Sequence, residues 1–314
     1  MSTDARSRLA AQRLSPATAA GDAGEAARAV CGVQAQDVRS AGLALRSRVP
    51  ALTRAAVREA GLIRTWTVRG TLHLIAAEDR GWLHALCAPR FLPRTERALE
   101  QRGHLDTARG MLDDLLELVA DEPLERTALL ERLAEGGHAE LTGGAVNVLL
   151  PWVALQGLVA GTADGRWVAS AAPEPVDEEE ALATMGQRYL AGYGPAGDRD
   201  LAAWSGLPLG KARRALELAG PVDAPAPAEP PACALLAAFD PAMLGWETRE
   251  PLVAAEHARD VLPGGGMLRP VVLAGARVVG TWRGAGPEFT WFGSEPPAEA
   301  LAAEVADVQR FLAT

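Results

Sequence analysis

Hydrophobic residues recur at helical spacing through most of residues 1–220 and give way at two places to β-prone runs. The first place comprises residues 62–68 and 71–75, two runs rich in β-branched and aromatic residues that are separated by Arg69 and Gly70. Two such runs joined by a short turn with glycine are typical of a β-hairpin. The helical pattern around this hairpin predicts helices at residues 5–14, 22–33, 52–59 and 78–86.

The same order of helices and strands then occurs a second time. Helices predicted at residues 107–119, 125–134 and 145–156 precede a hairpin at 157–168, whose turn is marked by Asp164 and Gly165. Helices followed by a hairpin are the order of a winged helix, in which one helix contacts DNA and the hairpin touches the DNA backbone or minor groove. A third helical group is predicted at residues 178–189, 199–205 and 209–218.

Beyond residue 220 the pattern changes. The segment 221–231 is too rich in proline for a helix or a central strand and predicts a semi-rigid connector. An apolar stripe at residues 301, 305, 308 and 312 predicts a closing helix. Strands are predicted at residues 234–239, 268–273, 277–282 and 288–292, with a tight turn at 274–276.

The predicted fold class is therefore mainly α with β wings. Tandem winged-helix modules are followed by a small β-rich C-terminal domain. The predicted boundaries are 1–106 for the first winged helix, 107–172 for the second, 173–220 for the helical part of a third, 221–231 for the connector and 232–314 for the C-terminal domain.

The distribution of charge along the chain favours a nucleic acid as the partner. The formal net charge is -9, yet residues 1–110 hold 17 arginines against 10 acidic residues, a net of +7. A basic N-terminal part on an acidic body is typical of a protein that binds a polyanion. The alternative is that many of these arginines are simply solvated on helix surfaces.

Other features of the composition concern location and cofactors. No apolar run approaches the roughly 20 residues that span a bilayer, and the N-terminus is too polar for a secretory signal. The three cysteines are few and far apart, which favours a reducing cytosol. His84 and Cys87 lack a further pair of ligands at suitable spacing, so no metal or other cofactor is expected. We expect a cytoplasmic, monomeric bacterial protein.

Gln34 and Gln36 stand where a helical pattern ends, just after Gly32. Residues two apart point away from each other on a helix, whereas in an extended segment they share a face. If both amides serve one ligand, the chain must be extended here. The alternative is that both are ordinary surface amides, as glutamines usually are.

Several segments occur in the order found in a known family. The chain carries VQAQ at residues 33–36, RTWTVRGTLHLI at 64–75, LAAFDP at 236–241 and VVGTWR at 278–283. It thereby resembles the AlkZ-type winged-helix DNA glycosylases over most of its length. This bacterial family includes the azinomycin-resistance glycosylase and the YcaQ interstrand-crosslink glycosylases. The resemblance implies a concave DNA-binding face, and removal of bulky 7-alkylpurine adducts and crosslinks, often as self-resistance in producers of DNA-damaging antibiotics.

The resemblance also implies that Gln34 and Gln36 are the catalytic residues. The family motif is Gln, a variable residue and Gln in the AlkZ branch, whereas the YcaQ branch ends in Asp. This sequence has a small Ala35 between the amides, and Asp37 follows immediately. Because Asp37 would point to the other side of an extended chain, we expect it to have a lesser, supporting role.

Two amides suffice if the leaving group is already activated. Alkylation at nitrogen 7 makes the purine cationic, so its departure needs no general acid. What remains is to place a water beside the anomeric carbon and to stabilise an oxocarbenium-like transition state, which amide oxygens can do as acceptors. A neutral amide is a poor base. We therefore expect activity on double-stranded DNA with cationic alkylated purines and little on undamaged bases.

Arg64, Arg69 and His73 surround the first predicted hairpin and are candidate supporting or DNA-contacting residues. An arginine there could contact a phosphate, and the histidine could contact DNA or orient the motif. His73 could equally be a half-buried strand residue, and the arginines could be solvated. A non-catalytic winged-helix DNA-binding protein or regulator is the second class of function.

Overall fold

The structure is a computed structural model that describes residues 3–141 and 144–314; residues 1, 2, 142 and 143 of the first two predicted modules lie outside it. The described residues form helices around two antiparallel sheets, one of five strands and one of four. The prediction of a mainly α fold with β hairpins is therefore confirmed. The first elements are α1 (Thr3–Ala11), α2 (Ala23–Ala29), β1 (Val33–Gln34), α3 (Val38–Arg46), α4 (Arg54–Glu59), β2 (Ile63–Trp66), β3 (Leu72–Ile75) and α5 (Arg80–Glu100).

The first predicted hairpin is confirmed, because β2 and β3 pair antiparallel across the turn at Arg69 and Gly70. The helix predicted at residues 78–86 is wrong in length, since α5 continues to Glu100 through Pro89 and Pro93. Each proline removes a backbone hydrogen bond, which normally ends or kinks a helix. Both prolines are exposed in α5, where the apolar side chains of the opposite face pack into the core and offset that loss.

The sequence pattern predicts no helix between residues 34 and 52, yet α3 lies there. Gly42 in its middle has low helix propensity, which weakens the pattern. A Cβ at this position would lie 2.9 Å from the ring of Phe311, so glycine lets α3 approach the C-terminal helix closely. Tertiary packing therefore stabilises a helix that local propensity does not indicate.

The second group of elements resembles its prediction except at Met111, where one predicted helix is divided into two. Its hairpin is confirmed, with Ala160 opposite Val168. The elements are α6 (Leu105–Gly110), α7 (Leu112–Asp121), α8 (Arg126–Leu133), α9 (Val146–Leu155), β4 (Val159–Gly161) and β5 (Trp167–Ala169).

The two hairpins join into one sheet, which the sequence does not indicate. Arg64 of β2 pairs with Gly161 of β4, so the five strands run in the order β1-β3-β2-β4-β5. Across the join, the rings of Trp66 and Trp167 stack with centroids 5.6 Å apart. The division of the helical part into separate winged-helix modules remains a prediction.

The remainder of the chain forms the predicted third helical group and a β-rich C-terminal part. Residues 221–231 have no regular secondary structure, as expected of the connector. The strands β6 to β9 form the second sheet in sequence order. The elements are α10 (Glu178–Tyr193), α11 (Asp198–Ser205), α12 (Leu209–Ala219), β6 (Ala234–Leu236), α13 (Pro241–Leu244), α14 (Ala258–Val261), β7 (Val271–Ala274), β8 (Arg277–Arg283), β9 (Glu288–Trp291) and α15 (Ala298–Ala313).

A buried ion pair ties the C-terminal part to the helices. The Arg48 guanidinium, just after α3, donates to both carboxylate oxygens of Asp240 at 2.8 and 2.9 Å, and both side chains are fully buried. Gln12 accepts a further bond from Arg48 at 3.1 Å. This network fixes the C-terminal end of α3. Within the described ranges, no helix combines the length and the apolar character needed to cross a membrane.

Candidate active site

The segment that carries the two glutamines leaves the helix earlier than predicted. α2 begins at its cap Asp22 but ends at Ala29, because Cys31 and Gly32 adopt the left-handed conformation with φ of 54° and 92°. A Cβ at Gly32 would lie 2.6 Å from the side chain of Ile75, so glycine is needed for this close approach. The predicted helix 22–33 is thus too long, and the chain is already extended when it reaches Gln34.

The extended segment places both amides on one side. Ala35 is buried, and its N–H donates to the carbonyl of Leu72 at 2.8 Å. The Gln34 Nε2 donates to the Gln36 Oε1 at 2.6 Å. Gln34 is 9% exposed and Gln36 is exposed, so the pair lies at an open surface. The small Ala35 therefore fills the core side while its neighbours form a hydrogen-bonded pair of amides.

Arg69 holds the inner amide. It sits at the hairpin turn with φ of 57°, and its guanidinium donates to the Gln34 Oε1 at 3.4 Å and to the backbone carbonyl of Trp204 in α11. Burial lowers the pKa of Arg69, although an arginine remains charged at neutral pH. Because the guanidinium can only donate, it assigns the Gln34 oxygen to its own side and the Gln34 amide group to Gln36.

His73 lies beside the pair as a neutral side chain. It is opposite Gln34 across β1 and β3, and opposite Thr65 across β2 and β3. Its Nδ1 lies 3.0 Å from the Thr71 carbonyl, which assigns the proton to Nδ1 and leaves Nε2 as an acceptor. Burial, followed by the nearby charge of Arg69, lowers the pKa of His73 to about 3. The imidazole is therefore uncharged at neutral pH.

The structure does not bring Arg64 to the pair. Its position in β2 alternates with Thr65, so its side chain points to the other face of the sheet. The guanidinium donates to the Gly165 carbonyl at 2.8 Å and lies 4.9 Å from the ring centroid of Trp167. Burial lowers its pKa. These contacts connect the two hairpins, and a phosphate contact by Arg64 or Arg69 remains a prediction.

Asp37 serves the backbone of α3. Its carboxylate accepts from the N–H groups of Arg39 and Ser40 at 3.3 and 3.0 Å, and from the Ser40 hydroxyl at 2.6 Å. This is N-capping, which satisfies donors that have no partner inside the helix. The cap starts α3 immediately after Gln36 and so determines where that amide lies.

Sequence reasoning misses two parts of this site. The Trp204 carbonyl is a backbone atom that α11 brings to Arg69, and no local pattern indicates it. The start of α3 does carry a signal, since Asp37 is a residue that is favoured at the N-cap and it directly precedes the apolar Val38. A separate groove of about 490 Å³ lies between α3, α4 and α15, and neither glutamine lines it.

No metal site accompanies the amides in the part of the chain that the structure describes. Among residues 3–141 and 144–314, no group of three or more histidine, cysteine or acidic side chains is arranged to hold a metal ion. The three cysteines are buried thiols, and burial raises the pKa of each. The chemistry of the candidate site is thus that of amides, one arginine and one neutral imidazole.

Comparison with known proteins first defines the class. The family described as DNA glycosylase AlkZ-like matches residues 27–311. The chain therefore belongs to the AlkZ-like DNA glycosylases and is an enzyme that cleaves the bond between base and sugar in DNA. This membership favours catalysis over a purely DNA-binding regulator.

A curated relative and a solved structure, both from Streptomyces sahachiroi, resemble this chain. An interstrand DNA cross-link repair glycosylase of Streptomyces sahachiroi is 30% identical over 310 residues, covering 81% of this chain and 80% of that protein. The solved structure of the Streptomyces sahachiroi DNA glycosylase AlkZ matches with a TM-score of 0.77 and 25% identity, covering 99% of this chain and 96% of the other. The similarity thus extends through both the helical and the C-terminal parts.

Proposed function

We propose that this enzyme hydrolyses the N-glycosidic bond of bulky 7-alkylated purines and of cross-links formed through such purines. Its substrate is double-stranded DNA, on which it acts as a monomer in the bacterial cytoplasm. The observation that carries the proposal is the hydrogen-bonded pair of Gln34 and Gln36 at an open surface. The role would be DNA repair or self-resistance to a genotoxic natural product, in line with the cross-link repair named for the relative.

The reaction needs no protonation of the base. The bond between the sugar carbon and the alkylated purine breaks with its electron pair passing to the cationic base, which leaves neutral. A water oxygen then bonds to the sugar carbon, and the water loses a proton to the solvent. The site supplies acceptors that orient this water and dipoles that stabilise the oxocarbenium-like charge.

The amides have distinct parts in this scheme. The Gln34 oxygen is engaged by Arg69, and the Gln34 amide donates to the Gln36 oxygen. A carbonyl oxygen has two lone pairs, so the exposed Gln36 oxygen retains one for a water or for the charge that develops on the sugar. Gln36 is therefore the residue nearest to the chemistry, and Gln34 holds it in place.

The openness of the site supports a large lesion. A closed pocket would select a small flipped base, whereas the exposed Gln36 leaves room for a bulky substituent. The amides cannot protonate a leaving base, and His73 beside them is uncharged at neutral pH because its pKa is lowered to about 3, so the site suits purines that are already activated. Both features favour bulky, cationic adducts.

The test is base release from a duplex with a single 7-alkylguanine, carrying either a methyl or a bulky substituent. Gln34→Ala and Gln36→Ala should lose release while DNA binding, measured separately, stays near that of wild type. Gln187→Ala, at an exposed position of α10, is the matched control and should release base at the wild-type rate. Undiminished release by both active-site variants, or no release by wild type on either lesion, would overturn the proposal.

A further inference from the structure

One face of α5 carries three arginines whose charges are not neutralised. Arg90, Arg94 and Arg97 follow i, i+4, i+7 spacing, which places them on one face within an arc of about 60°. Arg94 and Arg97 are exposed and Arg90 is half-buried. We call these three residues the α5 arginine stripe.

Within the described residues, no guanidinium of the stripe makes an ion pair or a hydrogen bond. Arg90 and Arg94 instead lie over the ring of Phe91, at 5.8 and 5.6 Å from its centroid. The Arg90 Nε is buried without a partner. A cluster of like cations without paired anions raises the local positive potential and attracts anions from solution.

Acidic side chains nearby do not neutralise the stripe. Glu96 of α5 is turned toward the indole Nε1 of Trp152 in α9, 3.5 Å away. Glu100, one turn beyond Arg97, is exposed and lies at the edge of the stripe face. α5 therefore differs from α12, where Arg213 pairs with Asp198 at 3.0 Å and Arg214 pairs with Glu179 at 2.6 Å.

The stripe begins beside the glutamine pair. A Cβ at Gly70 would lie 3.0 Å from the Phe91 ring, so the hairpin turn packs closely against this ring. The guanidinium groups of Arg90 and Arg94 lie over the same ring. The residue before Gly70, Arg69, donates to Gln34. The hairpin turn at Arg69 and Gly70 thus contacts both the stripe, through Phe91, and the proposed active site, through Gln34.

The dimensions of the stripe suit a phosphate backbone. Seven residues of helix from Arg90 to Arg97 rise about 10 Å. One DNA strand advances about 3.4 Å along its axis per phosphate, so this length covers about three phosphates. Arginine is the side chain best suited to phosphate, because its planar group offers paired donors.

We propose that the α5 arginine stripe binds the phosphates of the DNA strand that flanks the nucleotide at Gln34 and Gln36. The location of that nucleotide rests on the function proposed above, whereas phosphate binding by the stripe does not. Along α5, Arg97 is the stripe residue that lies farthest from Phe91, the residue that contacts the hairpin turn, and in this arrangement it contacts the phosphate farthest from the lesion. An acidic protein surface is the other polyanion that such a stripe would fit, and the experiment separates the two.

The experiment measures binding of the full chain to an undamaged fluorescent duplex over a range of salt concentrations. Each phosphate contact that is lost reduces the magnitude of the slope of log affinity against log salt by about 0.9. Arg94→Ala and Arg97→Ala should each reduce this magnitude by about that amount, and the double variant by about twice as much. Arg94→Lys retains the charge and should restore most of the slope. In the alanine variants, half-maximal base release should require a higher DNA concentration than in wild type.

The controls decide whether the effect is local. Arg213→Ala and Arg214→Ala remove charges that are already paired on α12 and should leave the slope unchanged. Thermal unfolding verifies that the exposed substitutions on α5 leave the fold intact. A wild-type slope in the Arg94 and Arg97 variants would overturn the proposal, as would an equal loss in the α12 variants.

Failure of this proposal can be told from failure of the proposed function. Binding to undamaged DNA requires no chemistry, so the slopes remain interpretable if wild type releases no alkylated base. Gln34→Ala should keep the wild-type slope whatever its rate of release. If wild type does not bind the undamaged duplex at low salt, the assignment of the stripe to DNA is wrong.

Discussion

Arg69 shows how a single side chain determines the arrangement of the candidate site. Its left-handed backbone at the hairpin turn aims the guanidinium between the Trp204 carbonyl and Gln34. Without that donor, the Gln34 amide is free to rotate, and either its oxygen or its nitrogen can face Gln36. Two oxygens facing each other repel, so an undirected pair would spend part of its time in an arrangement without the hydrogen bond.

Arg69→Lys should slow base release at saturating DNA by about 2- to 10-fold, because a lysine replaces only part of the hydrogen bonding. Arg69→Met should slow release further, since it removes both donors. The measurement is single-turnover release, with Arg277→Lys on β8 as control. The salt slope of DNA binding should stay at its wild-type value in Arg69→Met. A slope whose magnitude falls by about 0.9 would instead show that Arg69 contacts a phosphate.

The residue types of the site could be predicted from the sequence, but their contacts could not. The spacing of Gln34 and Gln36 indicates that they share a face once the chain is extended, and the structure joins them at 2.6 Å. For Arg64, by contrast, the sequence gives no sign that the side chain points away, because its partners, Gly165 and Trp167, are about 100 residues distant. Such contacts depend on the packing of one hairpin on the other.

At the scale of elements, the start of α3 connects local structure to the site. Asp37 accepts two N–H groups of the first turn, directly after Gln36. A cap acts through a short acceptor and not through its charge, so asparagine serves almost as well as aspartate. A carboxylate with a role in the reaction would behave differently, because asparagine cannot replace its charge.

Asp37→Ala should lower the free energy of unfolding by about 1 kcal/mol, whereas Asp37→Asn should retain most of it. Denaturant unfolding measures both. Base release by Asp37→Asn should stay close to wild type, with release by Asp22→Asn, at the cap of α2, as the matched control. Loss of release in Asp37→Asn at wild-type stability would identify a catalytic carboxylate and contradict the capping role.

Elements with a strong local pattern could be predicted, and those that depend on distant contacts could not. Both hairpins have turn residues with a clear conformational preference, and both are confirmed. Their union through Arg64 and Gly161 has no local signal: a Cβ at Gly161 would lie 2.6 Å from the Arg64 Nε, a close approach that only the folded sheet reveals. Helix α5 likewise passes two prolines because its packing outweighs local propensity.

At the scale of the whole molecule, the C-terminal part stabilises the helix that follows the glutamines. Asp240 lies in the segment LAAFDP, one of those that carry the family resemblance. Its carboxylate accepts two bonds from Arg48 and one from the N–H of Ala242, far inside the protein. Asp240 therefore has a structural role: it anchors the C-terminal end of α3, the helix that begins just after Gln36.

Asp240→Ala should destabilise the protein by about 3–5 kcal/mol, because it leaves the Arg48 charge buried without its partner. The exposed pair of Arg6 and Glu229, at 3.1 Å, provides the comparison. Glu229→Ala should cost less than about 1 kcal/mol. Denaturant unfolding measures both changes. Because the ion pair lies away from the amides, Asp240→Ala molecules that remain folded at low temperature should still release base. Wild-type stability combined with lost release would instead place Asp240 in the reaction and refute its structural role.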